Sequence, residues 1–276
     1  MKRIVFLLKR PPMRAKRILF AVKMRIWGIK TVYRVPDTFN MKRLKSNDSQ
    51  LLVTDDRDIY AQIRKNGSDA LIYFHEESEL ATFDAKYFVL DAEETEREYF
   101  ERVYRRINNI PWEIAKTKRL ILRETTEDDV DEFVPIYADP RMTEFTEGMY
   151  EAAAEKEYIT QYRRTVYACQ GFGVWTVIRK KDRKIIGRAG LSVREGFEGV
   201  EVGFAIGCDY QGVGYATEAV KKTVEFAAKE ELKPVNALVM ERNTASKRVL
   251  AKCGFSFLEN VSVQGTDYEL WQIREQ

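Results

Sequence analysis

A glycine-rich turn between an apolar strand and a helix constrains this chain more than any other feature. Val200-Glu-Val-Gly-Phe-Ala-Ile206 reads as a strand, and Gln211-Gly-Val-Gly-Tyr-Ala-Thr-Glu218 turns and opens a helix. Glycines at 212 and 214 let the backbone approach a bulky anion, since they carry no Cβ. The first amides of a helix lack intrahelical partners, and with the helix dipole they favour phosphate. Taken alone, the stretch also fits an ordinary tight turn. A P-loop is excluded, because no Gly-Lys-Ser/Thr follows. A dinucleotide fingerprint would need a third glycine where Thr217 stands, and a parallel strand in a βαβ unit before it.

The surroundings read as an α+β sheet domain. Leu120–Leu122 is a strand, a helix runs from Thr126 to about Tyr137, and Ala153–Tyr167 is another helix. Gly173–Lys180 and Ile185–Val193 form a hairpin around Lys181–Lys184. Tyr215–Lys229 is a helix, Pro234–Met240 a strand and Thr244–Cys253 a helix, and Phe255–Val261 and Tyr268–Ile273 close the pattern as strands.

The first 112 residues differ. Strands at Leu51–Thr54, Ala70–Phe74 and Tyr87–Leu90 alternate with helices at Arg57–Lys65 and Thr95–Asn109, which implies parallel βαβ units. The residue before Pro111 is pushed out of the helical region, so a boundary is expected there. A length of 276 residues suits two domains. The expected division is a basic, partly helical segment over 1–45, a small α/β accessory domain over 46–112, and the main domain over 113–276.

Charge is uneven along the chain. Of 46 basic and 43 acidic residues, 14 and one (Asp37) fall in 1–45, leaving 32 and 42 for the rest. Met13–Lys30 carries Ile18, Leu19, Val22, Met24, Ile26 and Trp27 among its cations. Three readings of this segment stand: a helical cap with a solvated face, an amphipathic helix touching anionic lipid or nucleic acid, and an intrachain or homodimer contact. The run Ile4–Leu8 is too short for a signal peptide's apolar core, and no stretch reaches the ~20 residues of a membrane span. Three scattered cysteines (Cys169, Cys208, Cys253) argue against a disulfide framework or zinc site. A cytoplasmic protein, soluble or at most peripheral, is expected.

Gln211-Gly-Val-Gly-Tyr-Ala216 resembles the pyrophosphate motif of GNAT acetyltransferases. Glu201-Val-Gly-Phe204 is similar to that family's fourth strand. Glu241-Arg-Asn243-Thr-Ala-Ser246 with Lys252-Cys-Gly254-Phe255 is similar to its second motif. Arg119-Leu-Ile-Leu-Arg-Glu124 and Tyr137-Ala-Asp-Pro140 resemble the opening of the RimJ/RimL-like branch, which acetylates protein N-termini and other amines.

The resemblance implies a mixed, mainly antiparallel sheet flanked by helices. It also implies acetyl-CoA as co-substrate, direct transfer to a primary amine, and no metal. Gln211, Gly212, Val213, Gly214, Tyr215, Ala216 and Thr217 would hold the pyrophosphate. Asn243 and Ser246 would approach the pantetheine arm, and a backbone amide among Phe204, Ala205 and Ile206 would polarise the thioester carbonyl.

Glu201 is the candidate base, since its apolar neighbours disfavour a bare carboxylate. A structural ion pair with an arginine is its alternative role. Relatives carry a tyrosine acid where this chain has Leu250, which leaves Ser246 or water to protonate the thiolate, with Tyr215 and Tyr268 as weaker candidates. The only histidine, His75, lies outside the domain. Glu144, Glu147, Glu151 and Glu155 could attract a cationic amine or form a solvated face.

The first domain is faintly similar to part of a haloacid-dehalogenase-like phosphatase, with Asp55 and Asp56 either capping a helix or holding magnesium. Besides the acetyltransferase, two other functions fit: an acyl-CoA-binding module without turnover, and an interaction protein that uses its basic N-terminus.

Overall fold

The computed structural model describes residues 1–34, 49–82, 85–92, 94–146 and 148–273. They form two compact units, Met1–Trp112 and Glu113–Gln276.

The first unit runs β1 (Arg3–Leu7), α1 (Arg14–Ile26), β2 (Lys30–Arg34), β3 (Gln50–Thr54), α2 (Arg57–Lys65), β4 (Leu71–Tyr73), β5 (Phe88–Val89) and α3 (Arg97–Ile107). Every strand pair is parallel, in the order β2-β1-β3-β4-β5. This corrects the expected division. Residues 1–34 are not an appended segment, because β1 sits inside the sheet with β2 and β3 on either side. The apolar run that looked too short for a leader is a strand buried on both faces, which is how interior parallel strands read. Residues 35–45 of the expected segment lie outside the described residues.

Phe20 and Met24 of α1 and Phe100 and Val103 of α3 pack on one face of this sheet, while Ile59 and Ile63 of α2 pack on the other. Asp56 caps α2 by accepting from the Asp58 and Ile59 amides at 2.8 and 3.3 Å. Asp55 does not cap. It accepts from the Lys9 and Arg10 amides at 2.7 and 2.9 Å and meets His75 Nε2 at 3.0 Å.

The second unit runs β6 (Glu113–Lys116), β7 (Leu120–Glu124), α4 (Val130–Tyr137), α5 (Ala152–Tyr162), a π-helical turn (Arg163–Tyr167), α6 (Ala168–Gln170), β8 (Val174–Arg179) and β9 (Ile185–Ser192). It continues with β10 (Val200–Ile206), α7 (Tyr215–Lys229), β11 (Val235–Val239), α8 (Thr244–Lys252), β12 (Phe255–Val263) and β13 (Thr266–Ile273). The sheet order is β12-β13-β11-β10-β9-β8-β7-β6. Only β10 and β11 pair in parallel, so the sheet is mixed and mainly antiparallel.

Alternation along the strands sorts side chains to two faces. Leu120, Leu122, Trp175, Val177, Val200 and Val202 join the core with Ala219, Val220 and Ala227 of α7. On the opposite face Ile121, Ile178 and Ile185 pack with Phe133 of α4.

Candidate active site

The central feature is a place where two neighbouring strands part. The β10–β11 ladder holds only at Val200–Val235 and Glu201–Asn236, yet β10 runs on to Ile206 and β11 to Val239. The other edge of β10 is fully taken by β9, from Glu201–Ser192 to Ile206–Gly187. Past Glu201, the β10 edge facing β11 therefore has N–H and C=O groups with no ladder partner, and such groups call for a ligand or water. Gly203 lies within this unpaired stretch, the slot where the strands part. A Cβ built there would meet nothing within 4 Å. Val202 points into the α7 core, so Gly203 fronts the opposite face.

Beyond the slot, β10 leads through a 3-10 turn (Cys208–Tyr210) to the glycine turn. Gly212 and Gly214 have φ of 77° and 87°, a region costly for residues with a Cβ. Gly214 is the N-cap of α7, and no side chain caps that end. The amides of Tyr215, Ala216 and Thr217 are thus left for an anion. Room exists too, because a Cβ at Gly212 would meet nothing within 4 Å. The residues present fit a pyrophosphate. Gln211 does not face this cradle with its amide; its Nε2 donates to the Ile206 carbonyl at 2.8 Å and ties the turn to the strand end.

The sequence reading missed the clamp behind the turn. Arg119 donates through Nη1 to the Val213 carbonyl at 2.9 Å and through Nε to Glu218 at 2.6 Å. Its guanidinium lies 4.5 Å from the Tyr215 ring centre. Glu218 also accepts from the Arg119 amide at 3.0 Å and from the Thr117 hydroxyl. Burial alone would raise the Glu218 carboxyl, but the hydrogen bonds from Thr117 and Arg119 outweigh it and hold the group below the usual carboxylate range. Arg119 stands in a family-like motif and Glu218 just after one, yet nothing in the sequence pairs them.

The second motif follows β11 and opens α8. Asn243 caps α8, its Oδ1 accepting the Ser246 amide at 3.0 Å. Both residues are half-buried. Leu250 is fully buried in the main core, so the position that would carry a tyrosine acid is a packing position here. Tyr215 opens α7 beneath Arg119. Tyr268 lines a cavity of about 910 Å³ with Glu241, Lys247, Glu269 and Trp271.

Glu201 is half-buried and its Oε2 accepts from the Nε of Arg194. The ion pair weighed as its alternative role is thus present, with Oε1 left without a partner among the described residues. Arg194 and Asn236 both border a second cavity, of about 990 Å³. The four glutamates do not make one face. Glu144 and Glu151 are exposed, and Glu147 lies outside the described residues. Glu155 is buried and bonded to Arg188 at 2.8 Å, so for it a solvated role is corrected. Its burial follows from Arg188, which reaches it from β9 and covers Phe133 at 4.1 Å.

Comparison with known proteins places the slot and cradle in a family. Residues 119–256, half of the chain, match the model of the acetyltransferase (GNAT) domain. The uncharacterized N-acetyltransferase YoaA of Bacillus subtilis (strain 168) is 26% identical over 146 residues, covering 51% of this chain and 82% of that protein. An uncharacterized N-acetyltransferase of Schizosaccharomyces pombe is 29% identical over 158 residues, covering 51% and 83%. Among solved structures, the ribosomal-protein-S5-alanine acetyltransferase of Vibrio fischeri matches the fold with a TM-score of 0.50 at 20% identity, over 59% of this chain and 95% of that one. An acetyltransferase of Agrobacterium tumefaciens gives 0.50 at 21% identity, over 58% and 94%. The phosphatase resemblance of the first unit finds no support. The family match begins at 119, and among the described residues no group of three or more His, Cys, Asp or Glu could hold a metal.

Proposed function

The chain belongs to the GNAT acetyltransferases, an acyltransferase that uses acetyl-CoA, and from that premise we propose that residues 113–276 pass the acetyl group directly to a primary amine. Acetyl-CoA supplies the acetyl group as a thioester. The observation that carries the reading is the parting of β10 from β11 beside the uncapped N-terminus of α7. Amides of Tyr215–Thr217 hold the pyrophosphate in this reading. The free edge of β10 at Phe204–Ile206 offers an N–H to the thioester carbonyl, where charge develops during attack.

Glu201 is the proposed base. Arg194 fixes one of its oxygens, and Oε1 is left to accept the amine's proton. The new bond joins the amine nitrogen to the acetyl carbon, the carbon–sulfur bond breaks, and the thiolate takes a proton from Ser246 or from water. Ser246 sits in the first turn of α8 with its amide fixed by Asn243, so its hydroxyl is held on a short, rigid base.

For the acceptor, protein N-termini are the first class we propose. Arg119–Glu124 and Tyr137–Pro140 are similar to the RimJ/RimL-like branch, and the Vibrio fischeri neighbour is by its name a ribosomal-protein-S5-alanine acetyltransferase. Small-molecule amines are the second class. The test is release of free thiol at saturating acetyl-CoA across peptides with free N-termini, polyamines and aminoglycosides. Turnover confined to free-N-terminus peptides supports the first class. Turnover confined to small amines removes it.

A further inference from the structure

We propose that α1 of the first unit docks on an anionic lipid surface. The starting point is an exposure that folding does not explain. Phe20 and Met24 of this helix are fully buried against the sheet. The outward face nevertheless shows Ile18 at 55%, Leu19 at 63%, Val22 at 52% and Ile26 at 78% exposed. A contiguous apolar stripe on a folded surface marks an interaction site more often than chance exposure does.

The order of residues around the helix says what the stripe meets. At about 100° per residue, Ile18, Val22, Ala15, Ile26 and Leu19 follow one another within an arc of about 100°. Arg25 and Arg14 fall just beyond Ile18 and are exposed; beyond Leu19, Lys16 pairs with Asp91 at 3.5 Å and Lys23 donates to the Thr95 carbonyl at 3.1 Å. The buried pair lies on the opposite side. An apolar strip bordered by exposed arginines is the geometry of a helix lying in a membrane interface. Its aliphatic side chains enter the acyl boundary, and Arg14 and Arg25 meet lipid headgroup phosphates.

The helix contains no acid, and the first 34 residues carry 11 Lys/Arg and no Asp or Glu. Two copies docked stripe to stripe would set these cations against each other. A nucleic acid would satisfy the cations and leave the aliphatic strip uncovered, because no aromatic side chain stands on it for bases to stack upon. Anionic lipid satisfies both parts. No helix among the described residues is long and apolar enough to cross a membrane, so the contact is a surface one.

The test is co-sedimentation of the full chain with phosphatidylcholine vesicles, with and without phosphatidylglycerol. Binding is expected only to the anionic vesicles, and it weakens as salt rises. A surface cation contributes roughly fivefold, so Arg14→Ala with Arg25→Ala should lower the partition coefficient about thirtyfold. Val22→Asp with Ile26→Asp should lower it at least as far. Both variants should keep the melting temperature and the acetyl-CoA KM of the parent chain.

Four results would overturn the proposal: no binding to anionic vesicles, equal binding to neutral ones, binding that the variants leave unchanged, or a self-association of the chain that Val22→Asp abolishes. The last would make the stripe a contact between copies.

Discussion

The clamp of Arg119 on the glycine turn predicts a selective loss. Arg119→Ala removes the bond to the Val213 carbonyl, the ion pair with Glu218 and the guanidinium over Tyr215. The Arg119 side chain is 39% exposed, so solvent screens the ion pair and leaves it a few tenths of a kcal/mol. The carbonyl bond contributes about 1 kcal/mol and the ring contact about 0.5 to 1. About 2 kcal/mol would then no longer hold the turn in its binding shape, which corresponds to an acetyl-CoA KM raised about thirtyfold. The loss should fall on the pyrophosphate alone, leaving kcat within about twofold. Steady-state kinetics with acetyl-CoA and with S-acetylpantetheine, which lacks the pyrophosphate, separate this from general damage. The expected penalty vanishes with the short thioester. An equal penalty on both thioesters, or an unchanged KM, would refute the positioning role.

Other outcomes follow from the same geometry. Gly214→Glu puts a carboxylate into the cradle at a φ of 87°, so coenzyme A binding measured by calorimetry should disappear with the fold intact. Glu201→Gln should lower kcat about 10²- to 10⁴-fold with little change in acetyl-CoA KM, as steady-state kinetics at saturating amine would show. Glu155→Ala leaves Arg188 charged and mostly buried, which should cost about 3–5 kcal/mol in denaturant unfolding. Because the folded Glu218 carboxyl is held low, its stabilisation is present above the ordinary carboxylate value of about 4.3 and lost as pH falls through the lower folded value. The melting temperature of Glu218→Gln should therefore trail the parent near neutrality and converge with it once pH has fallen below the lowered folded value.

What the sequence revealed and what it concealed divide along physical lines. The cradle was legible because only glycine takes φ near +80° without strain, so Gly212 and Gly214 mark the backbone shape directly. Helix α7, read as Tyr215–Lys229, has those bounds in the structure. The clamp was not legible, because Arg119 and Glu218 are 99 residues apart and meet only once β7 and α7 have packed. Glu155 looked like a solvent residue, since a glutamate's burial depends on a partner that no local pattern shows, here Arg188. β1 was missed for a related reason. Ile4–Leu8 lacks alternation, and a strand covered on both faces cannot be told from another short apolar run until its neighbours are known. Once β1 is in place, the cations after it belong to a packed helix, and the exposure of Ile18, Val22 and Ile26 becomes a property of the folded surface.

The central claim is that the slot beside α7 seats acetyl-CoA for direct transfer to an amine. Its most direct measurement is a single-turnover reaction of the full chain with acetyl-CoA and a peptide bearing a free N-terminus, followed by thiol release and by the mass of the peptide. The account predicts one thiol released for each acetyl group gained by the peptide, no acetylated protein intermediate, and loss of both signals in Gly214→Glu. Tight coenzyme A binding with no acetyl transfer to any amine, or an acetyl group found on the protein before the peptide, would contradict it.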